Sequence, residues 1–127
     1  MINISKGQFL LNNIEVVYND DLTSFLKKTK SLKKDIENIN NYQHVYFKDA
    51  SFLSMRGNIN FIFSPFGKFI QVQIYLLENE REIFNTSEYK EALKKINCIE
   101  KQEYDWGSIE FTIDHWFHFP SIIVLIK

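Results

Sequence analysis

The feature that most constrains the fold is a pair of alternating apolar runs joined by a turn. Apolar residues occupy every second position in residues 59–63, and again from Ile70 to Leu76. Because the side chains of a strand alternate between its two faces, each run has one apolar face. The intervening residues 64–67 contain Pro65, which presets φ, and Gly67, which allows a positive φ. This pattern predicts a β-hairpin at the centre of the chain.

Further segments, either alternating or continuously apolar, predict additional strands on both sides of this hairpin. They are residues 9–11, 14–18, 45–47, 52–55, 109–117 and 122–126. Asn12 and Asn13 separate the first two, and because Asn tolerates positive φ this spacing is typical of a tight hairpin turn. Pro120 interrupts the last two, which predicts a closing hairpin whose second strand is buried.

Two segments have the spacing of an amphipathic helix. In residues 22–29, Leu22, Phe25, Leu26 and Thr29 recur at i, i+3, i+4 and i+7. Asp20 or Asp21 supplies the N-cap, and the end is expected near Ser31. Residues 89–96 repeat this spacing after a cap at Thr86 or Ser87. No linker divides the chain, so we expect one α+β domain over residues 1–127. Its architecture is one mostly antiparallel β-sheet with two α-helices packed on one face.

The composition is typical of a cytoplasmic globular protein. Apolar residues make up 45% and aromatic residues 16% of the 127 positions, which excludes general disorder. A chain of this size buries a core without help from metals or disulfides, and Cys98 has no second cysteine to pair with. No apolar run approaches the ~20 residues that span a bilayer, and no targeting signal is present. The sequence thus predicts a cytoplasmic location and no membrane partner.

The charge balance argues against nucleic-acid binding. Fifteen basic and sixteen acidic residues give a net charge of −1, whereas phosphate binding requires a basic excess. The one concentration of lysines, in residues 27–34, contains no interleaved aromatic residues that could stack on bases. We interpret it as the solvated face of a helix.

The sequence predicts no enzyme, no cofactor and no metal site. His115 and His118 point to opposite faces of a strand, and Asp114 and His118 lie ~13 Å apart along it. The same alternation separates His115 from Asp114 and Glu110, the remaining acid–base candidates. Cys98 has apolar neighbours and no adjacent base, which indicates a structural cysteine. The four glycines form no phosphate-binding loop.

The acidic connectors are the candidate partner-binding elements. Their residues are Glu78, Glu80 and Glu82 in the first, and Glu100, Glu103 and Asp105 beside Trp106 in the second. If both lie at the same edge of the sheet, they form an acidic patch that steers a basic partner, with Trp106 as its anchor. The alternatives are two ordinary charged loops and a turn tryptophan that caps the core. Tyr75 and Trp116, on the polar faces of their strands, would add exposed aromatic surface unless a helix covers them.

The last third of the chain resembles the small immunity proteins of bacterial contact-dependent growth inhibition and related polymorphic toxin systems. The residues that carry this resemblance are Tyr89, Ala92 and Leu93, then residues 105–109, and then the closing apolar run 122–126. The resemblance implies a protein that binds a cognate toxin domain, such as a nuclease, and blocks it by occlusion without turnover.

A second hypothesis is a cytoplasmic module that binds a small ligand. In that case the curved sheet and the helices enclose an apolar pocket. The residues expected to line it are Phe61, Phe63, Phe69 and Tyr75.

Overall fold

The computed structural model describes residues 2–79, 81–113 and 119–127. Two short α-helices, α1 (Leu22–Lys28) and α2 (Thr86–Lys94), accompany a sheet that dominates the chain. The strands are β1 (Gln8–Leu11), β2 (Ile14–Val17), β3 (Asp35–Ile39), β4 (Tyr42–Phe52), β5 (Met55–Phe63), β6 (Phe69–Glu78), β7 (Arg81–Glu82), β8 (Lys101–Tyr104), β9 (Gly107–Ile113) and β10 (Pro120–Ile126). A single 3-10 turn, Ile4–Lys6, precedes β1.

All pairings among the described strands are antiparallel, as the sequence predicted for most of the sheet. The strand order is β2-β1-β4-β5-β6-β10-β9-β8, with β3 added to β4 and β7 added to β6. The sheet curls, because Trp106 next to β8 contacts Phe9 in β1 near the opposite edge. The fold is therefore α+β in class, with strands contributing most of the structure.

The core lies on one face of the central strands. Cross-strand pairing aligns Phe61, Val72, Val124 and Ile109, all fully buried, in one row. From α1, Phe25 packs on Phe61 with ring centroids 4.7 Å apart. From α2, Tyr89 packs beside Phe111 in β9, with centroids 6.1 Å apart. Each helix thus contributes an aromatic side chain to the core.

The three hairpins and the first helix are confirmed. The turn of the first hairpin has Asn12 at a φ of 52°, as expected for Asn. Helix α1 begins after Asp21, whose carboxylate accepts a hydrogen bond from the Ser24 amide at 2.7 Å. It ends at Lys28 rather than near Ser31. In the closing hairpin, residues 114–118 lie outside the described residues.

Several local predictions were wrong. Residues 52–55 do not form one strand, because Phe52 ends β4, Met55 begins β5, and Leu53 and Ser54 form the turn between them at φ values of 53° and 61°. Neither is a Gly or Asn, the residues that favour positive φ, so the sequence did not favour this turn. The N-cap of α2 is Asn85, not Thr86 or Ser87. Pro120 begins β10, and its missing N–H costs little at the first residue of a strand.

Strands β3 and β8 were missed, because both are exposed edge strands. All five residues of β3 are exposed, as are the first three of β8. A strand with no buried face has no reason to alternate in hydrophobicity, so its sequence is typical of a loop.

Candidate functional site

The first acidic connector forms the β6–β7 hairpin at one end of the sheet. Glu78 is exposed there, and Asn79 adopts a φ of 58° in the turn. The Arg56 guanidinium donates to the Asn79 carbonyl at 2.8 Å and to the Asp49 carboxylate at 2.9 Å. Its hydrogen bond lowers the pKa of Asp49. These contacts hold the hairpin against the β4–β5 side of the sheet.

Glu82 reaches across the sheet from β7. Its Oε2 accepts a hydrogen bond from Nδ2 of Asn58 on β5 at 3.0 Å, although β7 itself pairs with β6. This contact aims the carboxylate over the polar outer face of the sheet. Glu80, the third acidic residue predicted here, lies outside the described residues.

The second acidic connector lies elsewhere, along and after edge strand β8. Pairing through β9 and β10 puts Glu103 level with Gln71 on β6. Gln71 precedes Glu78 by seven positions, which is about 23 Å along a strand. Asp105 follows still farther from Glu78, in the turn before β9. The structure therefore does not bring the two connectors into one patch.

Lysines partly neutralise this second connector. Lys90 lies 3.1 Å from Glu100, and Lys101 lies 3.5 Å from Glu103. All four side chains are exposed, so each pair is weak. Even weak pairs reduce the negative potential around this connector, which is therefore smaller in magnitude than its number of carboxylates indicates.

Trp106 is part of the core of this chain. It is 4% exposed, and its Nε1 donates to the carbonyl oxygen of Ile4 at 2.7 Å. Its ring packs edge-on against Phe9 at 5.0 Å and stacks on Tyr104 at 5.0 Å. The side chain joins the last hairpin to the N-terminal segment, which leaves it inaccessible as an anchor for a partner.

An exposed aromatic pair lies beside the first connector. Phe84 is 59% exposed and Phe119 is 46% exposed, with ring centroids 5.3 Å apart. With Tyr75, Glu82 and Tyr89 they line a cavity of about 210 Å³, which we call the aromatic notch. Sequence reasoning missed this pair. The available signal was that Phe84 and Phe119 each lie outside the predicted strands and helices, where a large apolar side chain has no assigned place in the core.

Next to the notch, the Tyr89 side chain provides a hydrogen-bond acceptor for the backbone of β6. Strand β7 pairs with Leu77 and Glu78, whereas β10 pairs with residues 71–74, so Leu76 lies between them. The Leu76 amide donates to the Tyr89 hydroxyl at 2.9 Å. Burial raises the pKa of Tyr89 to about 12. A buried side-chain oxygen thus replaces a strand partner at this position.

We expect Tyr89→Phe to destabilise the chain by about 1–3 kcal/mol, because it leaves the Leu76 amide buried without an acceptor. Above pH 10 the unfolded tyrosine ionises before the folded one does. The stability of the native chain therefore falls between pH 10 and 12, and part of this fall should be missing in the variant. Urea denaturation at pH 8, 10 and 11 measures both effects. Tyr42→Phe, at an exposed tyrosine, is the control, and equal losses in both variants would contradict this role.

The apolar ligand pocket expected from the sequence is not formed by its predicted residues. Phe61 and Phe63 are fully buried, and both pack against Phe69, with ring centroids 5.8 and 5.4 Å apart. Tyr75 is on the opposite face of β6, because it is an odd number of positions from the core residue Val72. The three phenylalanines that were to line a cavity fill the core instead, whereas Tyr75 lies on the outer face.

Cys98 is a buried structural side chain. It is fully buried, and its thiol donates to the carbonyl of Ile109 at 3.6 Å. Burial raises the pKa of the thiol, which disfavours the reactive thiolate. Within the described ranges, no three His, Cys, Asp or Glu side chains are grouped to hold a metal. His115 and His118 fall outside those ranges.

Comparison with known proteins finds one solved structure of similar fold. The chain is similar to a chain in the structure of Rhs1-CT in complex with its cognate immunity protein RhsI1. The TM-score is 0.60 over 99% of this chain and 86% of the other, at 11% sequence identity. No protein-family model and no curated protein matches the sequence. At an identity this low, the structural similarity shows a shared fold and nothing further.

In the part of the chain that the structure describes, no helix is long and apolar enough to cross a membrane.

Proposed function

We propose that this chain is an immunity protein, which binds and neutralises the toxin domain of a polymorphic toxin system in the cytoplasm. The observation that carries this proposal is the fold shared with a chain of the Rhs1-CT–RhsI1 complex over nearly the whole length. The resemblance of the last third of the sequence to immunity proteins points the same way. A surface suited to a protein partner, the aromatic notch with its acidic flank, adds support.

The aromatic notch supplies the anchors of the proposed interface. Aromatic side chains dominate binding energy at protein interfaces because they bury a large area when a partner covers them. Phe84 and Phe119 are about half exposed, so each has surface left to bury. The adjacent Glu78 and Glu82 carboxylates favour a partner with a basic surface, such as a nuclease. Neutralisation follows from occlusion, with no chemistry by this chain.

The second acidic connector, with Glu100, Glu103 and Asp105, has a lesser role in this proposal. Its carboxylates are exposed, and Glu103 and Asp105 lie far from the notch, so these two act on the approach of a basic toxin rather than on its final contacts. Charge reversal at such rim positions lowers the association rate and its salt dependence. Reversal at Glu82 should also raise the dissociation rate.

Co-expression with the polypeptide encoded immediately upstream tests the proposal. We expect that polypeptide to be toxic alone, harmless with this chain, and recovered in a stable one-to-one complex. A toxic neighbour that this chain neither binds nor blocks would contradict an immunity function. Toxicity of this chain itself, relieved by a neighbouring gene product, would assign it to the toxin side of such a pair.

A further inference from the structure

A pocket of about 380 Å³ lies on the polar outer face of the sheet, next to the aromatic notch. The side chains that line it include Tyr46 from β4, Asn60 from β5, Gln73 and Tyr75 from β6 and Glu82 from β7. Tyr75 and Glu82 also line the notch, so the two form one continuous surface.

Asn60 gives this pocket an unmet hydrogen-bonding requirement. The side chain is only 5% exposed, and its Nδ2 contacts Nδ1 of His44 at 3.0 Å and donates to Oε1 of Gln73 at 3.2 Å. Its Oδ1 is buried and accepts no hydrogen bond from any described residue. With Nδ2 directed at His44 and Gln73, Oδ1 requires a donor from outside the described residues, such as water or a bound group.

We propose that this pocket receives the guanidinium group of an arginine from the partner protein. The inference rests on the proposed function and specifies one contact of that interface. Guanidinium carries five N–H donors in a plane and stacks on aromatic rings, which Tyr46 and Tyr75 supply. Asn60 Oδ1 accepts one donor, and the Glu82 carboxylate balances the charge.

The carboxylate that completes this pocket is already positioned in the free chain. Glu82 reaches over β6 to Asn58, and the hydrogen bond between them leaves its other oxygen for a second donor. Tyr46 lines the same pocket and is partly desolvated, and burial raises the pKa of its phenol. Cation–π and ionic attraction are stronger where water is partly excluded.

Lys48 allows a test that distinguishes a cationic from an anionic ligand in the pocket. Among the described residues that line the pocket it is the one cation. An arginine in the pocket would be repelled by this ammonium, whereas an anionic group would be attracted to it. Lys48→Gln should therefore tighten binding of an arginine and weaken binding of an anion.

The first experiment uses the purified chain without a toxin. Amide chemical shifts are followed by NMR during titration with N-acetyl-arginine amide, and with the uncharged N-acetyl-citrulline amide. We expect saturable shifts at Asn60, Gln73 and Glu82 with the arginine compound only. Asn60→Leu keeps the side-chain shape but removes the acceptor, and it should abolish these shifts without lowering the melting temperature. Equal shifts with both compounds, or none with either, would overturn the proposal.

The second experiment measures the dissociation constant of the toxin complex. Glu82→Gln retains an acceptor for Asn58 but loses the charge, and should weaken binding about tenfold. Glu15→Gln makes the same charge change on the edge strand β2, away from the notch and the pocket, and should have less than a threefold effect. Lys48→Gln should tighten the complex. Equal losses in both glutamate variants, or weakening by Lys48→Gln, would overturn the arginine site.

These experiments separate the two proposals. If the arginine compound binds and the upstream polypeptide does not, the pocket stands and the immunity function fails. If the toxin complex forms but the pocket variants leave it unchanged, the function stands and the pocket fails.

Discussion

Replacing Phe84 by Lys is expected to weaken the complex with the cognate toxin by about 30-fold or more. Loss of a central aromatic anchor typically costs at least ~2 kcal/mol, which corresponds to this factor. The new ammonium also opposes a basic partner surface and neutralises the acidic flank of the aromatic notch. Because Phe84 is 59% exposed, the substitution should leave folding nearly unchanged. Titration calorimetry gives the affinity, and thermal unfolding of the free chain gives the stability.

Phe66→Lys is the matched control for this prediction. Phe66 is 98% exposed in the β5–β6 turn, whereas Phe84 follows β7 at the opposite end of β6. The two variants share the residue type, the charge change and the exposure class. We expect Phe66→Lys to change the affinity less than threefold. A large loss in this control with an unchanged Phe84 variant would place the interface at the other end of the sheet.

Replacing Trp106 by Ala is expected to cost about 3–5 kcal/mol of unfolding free energy, the range for truncating a large buried aromatic side chain. The side chain bridges segments far apart in the sequence. Its ring contacts Phe9 and Tyr104, and its Nε1 donates to Ile4. Its loss leaves a cavity and opens the contact that curls the sheet. Urea denaturation monitored by circular dichroism measures the change.

Two variants define how Trp106 stabilises the chain. Trp106→Phe keeps a ring against Phe9 but leaves the Ile4 carbonyl without its donor, so we expect a smaller loss than with Ala. Phe66→Ala removes a fully exposed ring and should stay within about 0.5 kcal/mol of the native chain. A loss of unfolding free energy below about 1 kcal/mol for Trp106→Ala would contradict a role in joining the last hairpin to the N-terminal segment. Trp106 would then again be a candidate for partner binding.

The burial of Trp106 also changes which aromatic residues can anchor a partner. From the sequence, a tryptophan beside acidic residues had two interpretations, an anchor for a partner or a cap on the core. In the folded chain the tryptophan serves the core, whereas Phe84 and Phe119 remain accessible beside Glu82. Exposure depends on the path of the whole chain, so residue type and neighbouring charge do not predict it.

The local architecture was predictable from the sequence alone. The central hairpin follows from alternation on both sides of Pro65 and Gly67, and α1 follows from an aspartate cap before helical spacing. These signals act between residues close in the chain, where backbone sterics and the side-chain period decide the structure. The sequence thus determined the α+β class, three hairpins and most core residues.

The strand order, the curl of the sheet and the surface of the proposed site depend on contacts between residues far apart in the chain. Pairing of β10 with β6 joins residues about fifty positions apart, and no local pattern encodes that choice. Strands β3 and β8 form at edges without a buried face, so hydrophobic alternation was absent. The outer-face pocket combines Asn60, Tyr75 and Glu82 from three strands. Its chemistry exists only because cross-strand register sets these side chains next to each other.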